Sequence, residues 1–127
     1  LHDALPIYMY IIPGTAPEAL EELPVPTHAF IGGSSGNMKE IVELLIKKNL
    51  QVRIVINCIT LETVGEALGC IRELAKQEGC ECENEIVQLC VSRSKNIGRY
   101  HMMMGENPIY IITVQMLKTS EEVEEQA

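Results

Sequence analysis

The sequence predicts an α/β fold, with a mainly parallel sheet that finishes in an antiparallel hairpin. Short β-branched runs alternate with stretches whose apolar residues fall at helical spacing, in the order β-α-β-α-β-α-β-β. The run at 52–59 (VRIVINCI) is almost continuously apolar, as expected of a strand covered on both faces. After Gly79 the helical rhythm stops and two strands follow with no helix between them. The chain has 127 residues, 46% hydrophobic and 22% charged, which suits one domain with a real core and excludes a disordered chain.

Residues 8–12 (YMYII) are a β-prone run closed by Pro13-Gly14. Thr15-Ala16-Pro17-Glu18 opens a brief helix with proline in its first turn, and Pro24 and Pro26 end it. Residues 29–31 form a short strand that stops at Gly32-Gly33, with His28 at its edge. Asn37 is placed to cap the next helix, with Glu40 as its capping-box partner. Met38, Ile41, Val42 and Leu45 form its apolar stripe, Glu43 and Lys47 pair on the outer face, and the helix ends near Asn49. After the strand at 52–59, Thr63 and Glu66 form a second capping box. Val64, Ala67, Leu68, Ile71 and Leu74 then make the stripe of a helix stopped by Gly79. Strands at 85–92 and 109–116 flank a loop bearing glycine, methionine and basic residues. Residues 1–7 (LHDALPI) lack the basic start and apolar core of a signal peptide and read as a non-native scar. Residues 8–117 are the domain and 118–127 an acidic flexible tail.

The net charge of −8 argues against nucleic acid as a partner, since phosphate binding needs clustered Lys and Arg. Four of the acids fall at Glu121, Glu122, Glu124 and Glu125, so the body is only mildly acidic. No apolar stretch approaches the roughly 18 residues of a membrane span. Five cysteines, an odd number, suit a reducing cytoplasm, and Cys80-Glu81-Cys82 lacks the second pair that a zinc site needs. No metal is expected.

Ligands of open α/β sheets bind beyond the carboxyl ends of the strands. Three such ends are legible: Gly14-Thr15-Ala16-Pro17, Gly32-Gly33-Ser34-Ser35-Gly36-Asn37 and Asn57-Cys58-Ile59-Thr60-Leu61-Glu62-Thr63. The adjacent glycines of the second let a ligand approach the backbone, or simply make a tight turn. Gly32, Ser34 and Gly36 also match G-x-S-x-G, with Glu62 and His101 following in the order of a serine hydrolase. Arg93, Lys95, Arg99 and His101 cluster between Ser92 and Asn107, either as a solvated basic loop or as a grip on a polycarboxylated ligand. Asn57, if buried, needs hydrogen-bond partners and could orient a loop or a substrate.

These segments resemble the CbiT family, the decarboxylating precorrin-6B C15-methyltransferases of cobalamin biosynthesis. The tail motifs Ser92-Arg93-Ser94-Lys95, Gly98-Arg99-Tyr100-His101-Met102 and Asn107-Pro108-Ile109-Tyr110 strengthen the likeness, which runs from about Tyr8 to Val114. The resemblance implies a Rossmann-like class I methyltransferase fold using S-adenosylmethionine. The substrate would be a cobalt-precorrin, methylated at C15 with loss of carbon dioxide from the C12 acetate. Gly14, Thr15, Ala16, Gly32 and Gly33 would border the cofactor. Ser34, Asn57, Thr60, Glu62, Arg93, Lys95, Arg99 and His101 would face the tetrapyrrole, and no catalytic residue is assigned.

The intact enzyme would be a homo-oligomer, a tetramer, in some members fused to a C5-methyltransferase. The sequence departs from the family in two ways. No acidic G-x-G-x-G loop precedes Tyr8, and Thr15 stands where the family often has Asp. The chain is therefore expected to be N-terminally truncated, starting at the third strand of the fold, and to bind the cofactor weakly on its own. The first two strands of that fold lie between the third and fourth, so residues 8–12 must pair differently or come loose. An inert or binding-only α/β unit is the alternative to an enzyme.

Overall fold

The computed structural model describes residues 9–33 and 36–117. Its elements are β1 (His28–Ile31), α1 (Met38–Lys48), β2 (Arg53–Cys58), α2 (Leu61–Glu78), β3 (Glu81–Leu89), β4 (Ser92–Ile97), β5 (Tyr100–Gly105) and β6 (Ile109–Leu117). The expected scar at 1–7, the tail at 118–127, Tyr8 and Ser34 lie outside the described residues.

Four strands form one sheet in the order β1-β2-β6-β3. β1 runs parallel to β2, while β6 lies antiparallel to both β2 and β3. Thus β1, β2 and β3 point one way and β6 alone opposes them, the mainly parallel sheet with an antiparallel finish. Each crossover steps in the same direction across the sheet, so right-handed connections put α1 and α2 on the same face. Their buried stripes, Met38, Ile41, Val42, Leu45 and Ile46 from α1 and Ala67, Cys70, Ile71, Leu74 and Ala75 from α2, close one core. Ile31, Ile54, Ile56, Cys58, Ile112, Val114 and Met116 meet them from the sheet.

The opposite face corrects the expectation that 52–59 is covered on both sides. β2 alternates strictly between buried residues and half-buried or exposed ones. Register and alternation gather Phe30, Val55, Asn57, Ile111 and Val87 on this second face, and Phe30 is 68% exposed. The run at 8–12 is corrected as well. Its described part, 9–12, belongs to no strand and is exposed, Ile11 to 88%, so of the two fates open to it the run came loose. β1 has β2 as its only partner among the described residues.

A 3-10 turn at Glu18–Leu20 stands where the brief helix was expected. The segment around it is tied along α1 by side chains. Asn37 Nδ2 donates to the Ala16 carbonyl at 3.1 Å, and Asn49 Nδ2 to that of Pro26 at 2.9 Å. Lys48 Nζ donates to the carbonyls of Glu21 at 2.9 Å and Leu23 at 2.6 Å. Both capping boxes need correction. Asn37 is the N-cap residue of α1 but makes no side-chain cap bond; its side chain is turned so that Nδ2 donates to the Ala16 carbonyl. α2 starts earlier than expected, capped by Thr60, whose Oγ1 accepts from the Thr63 amide at 3.1 Å. Gly79 ends α2 at φ +66, as its position predicts.

The stretch at 92–107, expected to be a loop, contains β4 and β5, a separate two-stranded ribbon turning at Gly98 and Arg99. Both of its faces are exposed, so no burial period marks it in the sequence.

Candidate functional site

The carboxyl ends of β1 and β2 open onto a cleft of about 240 Å³ lined by Gly32, Gly33, Asn57, Ile59, Thr60 and Thr63. Parallel strands make this geometry, since both chains leave the sheet at the same end and part to reach their helices. A side chain at Gly33 would meet no atom of the described residues within 4 Å, which leaves the backbone there open toward the cleft. Thr60 and Thr63 lock α2 at the rim through hydroxyls 2.8 Å apart. Asn57 is half-buried; its Oδ1 is shut away from solvent and has no hydrogen-bond partner among the described residues. A buried acceptor left unpaired costs roughly 1–3 kcal/mol, and it sits where two of the three predicted site segments, those of Gly32-Gly33 and of Asn57–Thr63, meet. Among the six lining residues none is charged.

Gly14 precedes the 3-10 turn at φ +142, and a Cβ there would come within 2.8 Å of Ala19 Cβ, so only glycine fits. Thr15 and Ala16 follow it, and the Asn37–Ala16 bond brings this corner to the start of α1. The Gly14 and Gly32-Gly33 segments are thus held to the same helix start. These residues fit an S-adenosyl cofactor in part. They offer open backbone, but no carboxylate stands among them to receive ribose hydroxyls, and the cleft is smaller than the roughly 300–1,000 Å³ of most small-molecule sites.

The remaining candidates lie elsewhere. Glu62 is exposed on the first turn of α2 and does not line the cleft. Arg93, Lys95 and His101 are strand residues of the ribbon and Arg99 is in its turn, so none reaches the cleft lining. Arg93 Nε pairs with Glu106 Oε1 at 2.9 Å. The serine-hydrolase arrangement is not assembled. Ser34 is outside the described residues, and no hydrogen bond joins Glu62 to His101. Ile59 and Thr63 line the cleft and were missed as site residues. The signal for Thr63 was the Thr60-x-x-Thr63 spacing directly after β2.

Cys58 and Cys70 are buried thiols and Cys90 is an exposed one. Burial pushes the Cys70 thiol up to about 11 and raises that of Cys58 as well. No described helix is long and apolar enough to cross a membrane.

Residues 4–116 match a family model described as a precorrin methyltransferase domain. A probable cobalt-precorrin-6B C(15)-methyltransferase (decarboxylating) from Pyrobaculum calidifontis is 33% identical over 103 residues, 81% of this chain and 50% of that protein. Its counterpart from Methanothermobacter thermautotrophicus is 36% identical over 104 residues, again covering half of the relative. The solved precorrin-6y C5,15-methyltransferase of Geobacter metallireducens superposes with a TM-score of 0.67 at 32% identity, over 82% of this chain and 52% of that one. The precorrin 8w decarboxylase of Methanobacterium thermoautotrophicum gives 0.66 at 34% identity, over 82% and 53%. The chain spans about half the length of the relatives it matches.

Proposed function

The chain belongs to the precorrin methyltransferase family and carries part of its Rossmann-like class I methyltransferase fold, and from that premise we propose that it contributes the methyl-acceptor side of a decarboxylating C15-methyltransferase. The substrate is a precorrin-6B-type tetrapyrrole, with or without cobalt, in cobalamin biosynthesis. The observation that supports this most is the cleft at the ends of β1 and β2, where open glycine backbone meets an Asn57 Oδ1 that has no partner among the described residues.

S-adenosylmethionine, when bound, supplies the methyl group. Gly14, Thr15 and Ala16 would border its adenine, and Gly32 and Gly33 would leave open backbone beside it. Asn57 and Thr60 orient the acceptor edge of the macrocycle, which places its carbon for attack and lowers the entropic part of the barrier. The lining carries no cation, so a carboxylate that enters it ionised gains no ion pair, which favours its departure as carbon dioxide while the electrons of the broken carbon–carbon bond pass into the methylated ring. Arg93, Lys95 and Arg99 meet the peripheral carboxylates. The intact enzyme is a cytoplasmic homo-oligomer, a tetramer, acting with or fused to a C5-methyltransferase.

The test is methyl transfer to cobalt-precorrin-6B, followed by mass spectrometry for gain of a methyl group and loss of carbon dioxide. The chain should be inactive alone and active when the N-terminal half of the Methanothermobacter relative is supplied in trans. Micromolar binding of S-adenosylmethionine by this chain alone would show that the described residues suffice for the cofactor. No product in the complemented reaction would favour a binding-only role.

A further inference from the structure

Asn37 stands where a helix-capping side chain belongs, and Asn is among the residues that cap best. Its backbone does start α1, the carbonyl accepting the Ile41 amide at 3.0 Å. Its side chain makes no cap bond and instead reaches a residue 21 positions away, with Nδ2 donating to the Ala16 carbonyl at 3.1 Å. Three side chains tie the segment at 16–26 to α1, and Asn37 is the one at the cleft end. Lys48 and Asn49 hold the segment at the far end of this eleven-residue helix, about 16 Å away. Both partners of the Asn37 bond are themselves fixed. Met38, the next residue, is 1% exposed in the core, and the Thr15 carbonyl takes the Ala19 amide at 2.9 Å, closing the corner that Gly14 turns. Asn37 follows Gly33 of the cleft lining by four residues but does not line the cleft.

We infer that Asn37 is a positioning residue for methyl transfer. Its amide latches the Gly14–Ala16 corner, on the donor side, to the helix start beside the acceptor cleft. The inference rests on the reading above and deepens it. Donor and acceptor sides come from segments far apart in the chain, 14–16 before β1 and 57–63 after it, and a displacement of about 1 Å between reacting groups can cost a hundredfold in rate. A corner that swings free is competent only part of the time, and its apparent affinity falls by that fraction. The acceptor side does not feel the latch, because Asn57, Thr60 and Thr63 are carried by β2 and α2, outside the tied segment. A residue kept for helix stability alone would have its side chain on the α1 amides.

The test combines this chain with the N-terminal half of the Methanothermobacter relative. The complex is titrated with S-adenosylhomocysteine by calorimetry, and KM is measured for the donor and the acceptor separately. Asn37→Asp keeps the size of the side chain and cannot donate to a carbonyl, while its charge suits a helix start. It should hold or raise the unfolding midpoint, weaken S-adenosylhomocysteine by about three- to tenfold, the worth of one hydrogen bond, and raise the donor KM alike. The acceptor KM should stay within about twofold. Asn37→Ser should behave in the same way. Lys48→Met, which frees Glu21 and Leu23 at the far end of α1, should lower stability and leave the cofactor affinity unchanged. An unmoved cofactor affinity in N37D, or one that weakens only in step with a falling midpoint, overturns the latch. So does a parallel rise of both KM values, or a K48M variant that weakens the cofactor as much as N37D does. A wild-type complex that binds S-adenosylhomocysteine but forms no product sinks the enzyme reading, and the binding series then decides the latch. A complex that binds none sinks both.

Discussion

Asn57 shows how much a single side chain can reveal when its polar atoms are accounted for. Its Oδ1 is buried and has no partner among the described residues, whereas nearly every buried acceptor in a folded protein finds a donor. Replacing Asn57 with Leu should raise stability by about 1 kcal/mol in denaturant unfolding, while turnover in the complemented reaction falls. A drop in stability would mean that the amide is satisfied internally. The cysteines make a second residue-scale prediction. Cys90 is exposed, whereas Cys58 and Cys70 are buried, so Ellman's reagent should label Cys90 first and reach the buried pair only on unfolding. The raised thiol of Cys70 also sets a pH dependence. The unfolded thiol loses its proton near 9 while the folded one holds it to about 11, so over that window the unfolded state binds fewer protons. Stability should therefore decline as pH rises through that window, and Cys70→Ala should blunt the decline.

At the scale of elements, the caps and ties decide more than helix propensity does. α2 depends on Thr60 at its start, and Thr60→Ala should cost about 1 kcal/mol of stability by removing the bond to the Thr63 amide. α1 is different, because its own N-cap side chain is diverted. Asn37→Ser should restore a cap while releasing Ala16, leaving global stability nearly unchanged. The released segment should show itself in faster hydrogen exchange at Ala19, whose amide bonds the Thr15 carbonyl, with α1 still protected. Slow exchange at Ala19 in that variant would mean that the tie contributes nothing. The ion pairs on these helices, Lys39–Glu73 and Lys47–Glu43, are exposed and add little.

For the whole molecule, the asymmetry of the sheet is the governing fact. One face is sealed by two helices, and the other presents Phe30, Val55, Ile111 and Val87 beside an edge strand with a single partner. Such a surface should bind a hydrophobic dye in the native state, and F30S with V87T should lower that signal without shifting the unfolding midpoint by more than a degree or two. Supplying the N-terminal half of the Methanothermobacter relative should quench the dye signal of the wild type if that half covers this face. An unchanged signal would place it elsewhere.

Much of the fold was legible because periodicity and breakers are local. The stripe Met38, Ile41, Val42, Leu45, the stop at Gly79 and the β-branched run of β2 follow from spacing alone, and all stand in the structure. The family was legible for the same reason, since its motifs are short and ordered along the chain. What the sequence could not show is pairing across distance. Whether β2 is covered on one face or two depends on where two crossovers land, and no window along the chain contains that. Asn37 reads as a cap because Ala16 lies 21 residues away and becomes its partner only after folding. The loose run at 9–12 and the two-faced ribbon mislead for the same reason: a β-prone run becomes a strand only where a partner edge accepts it, and an exposed hairpin carries no burial period. Propensity and motif are properties of neighbours along the chain, so the elements and the family can be read from residue order alone. The cleft, the open face and the separation of the basic side chains from the cleft are properties of neighbours in space, and they exist only once the strands have paired.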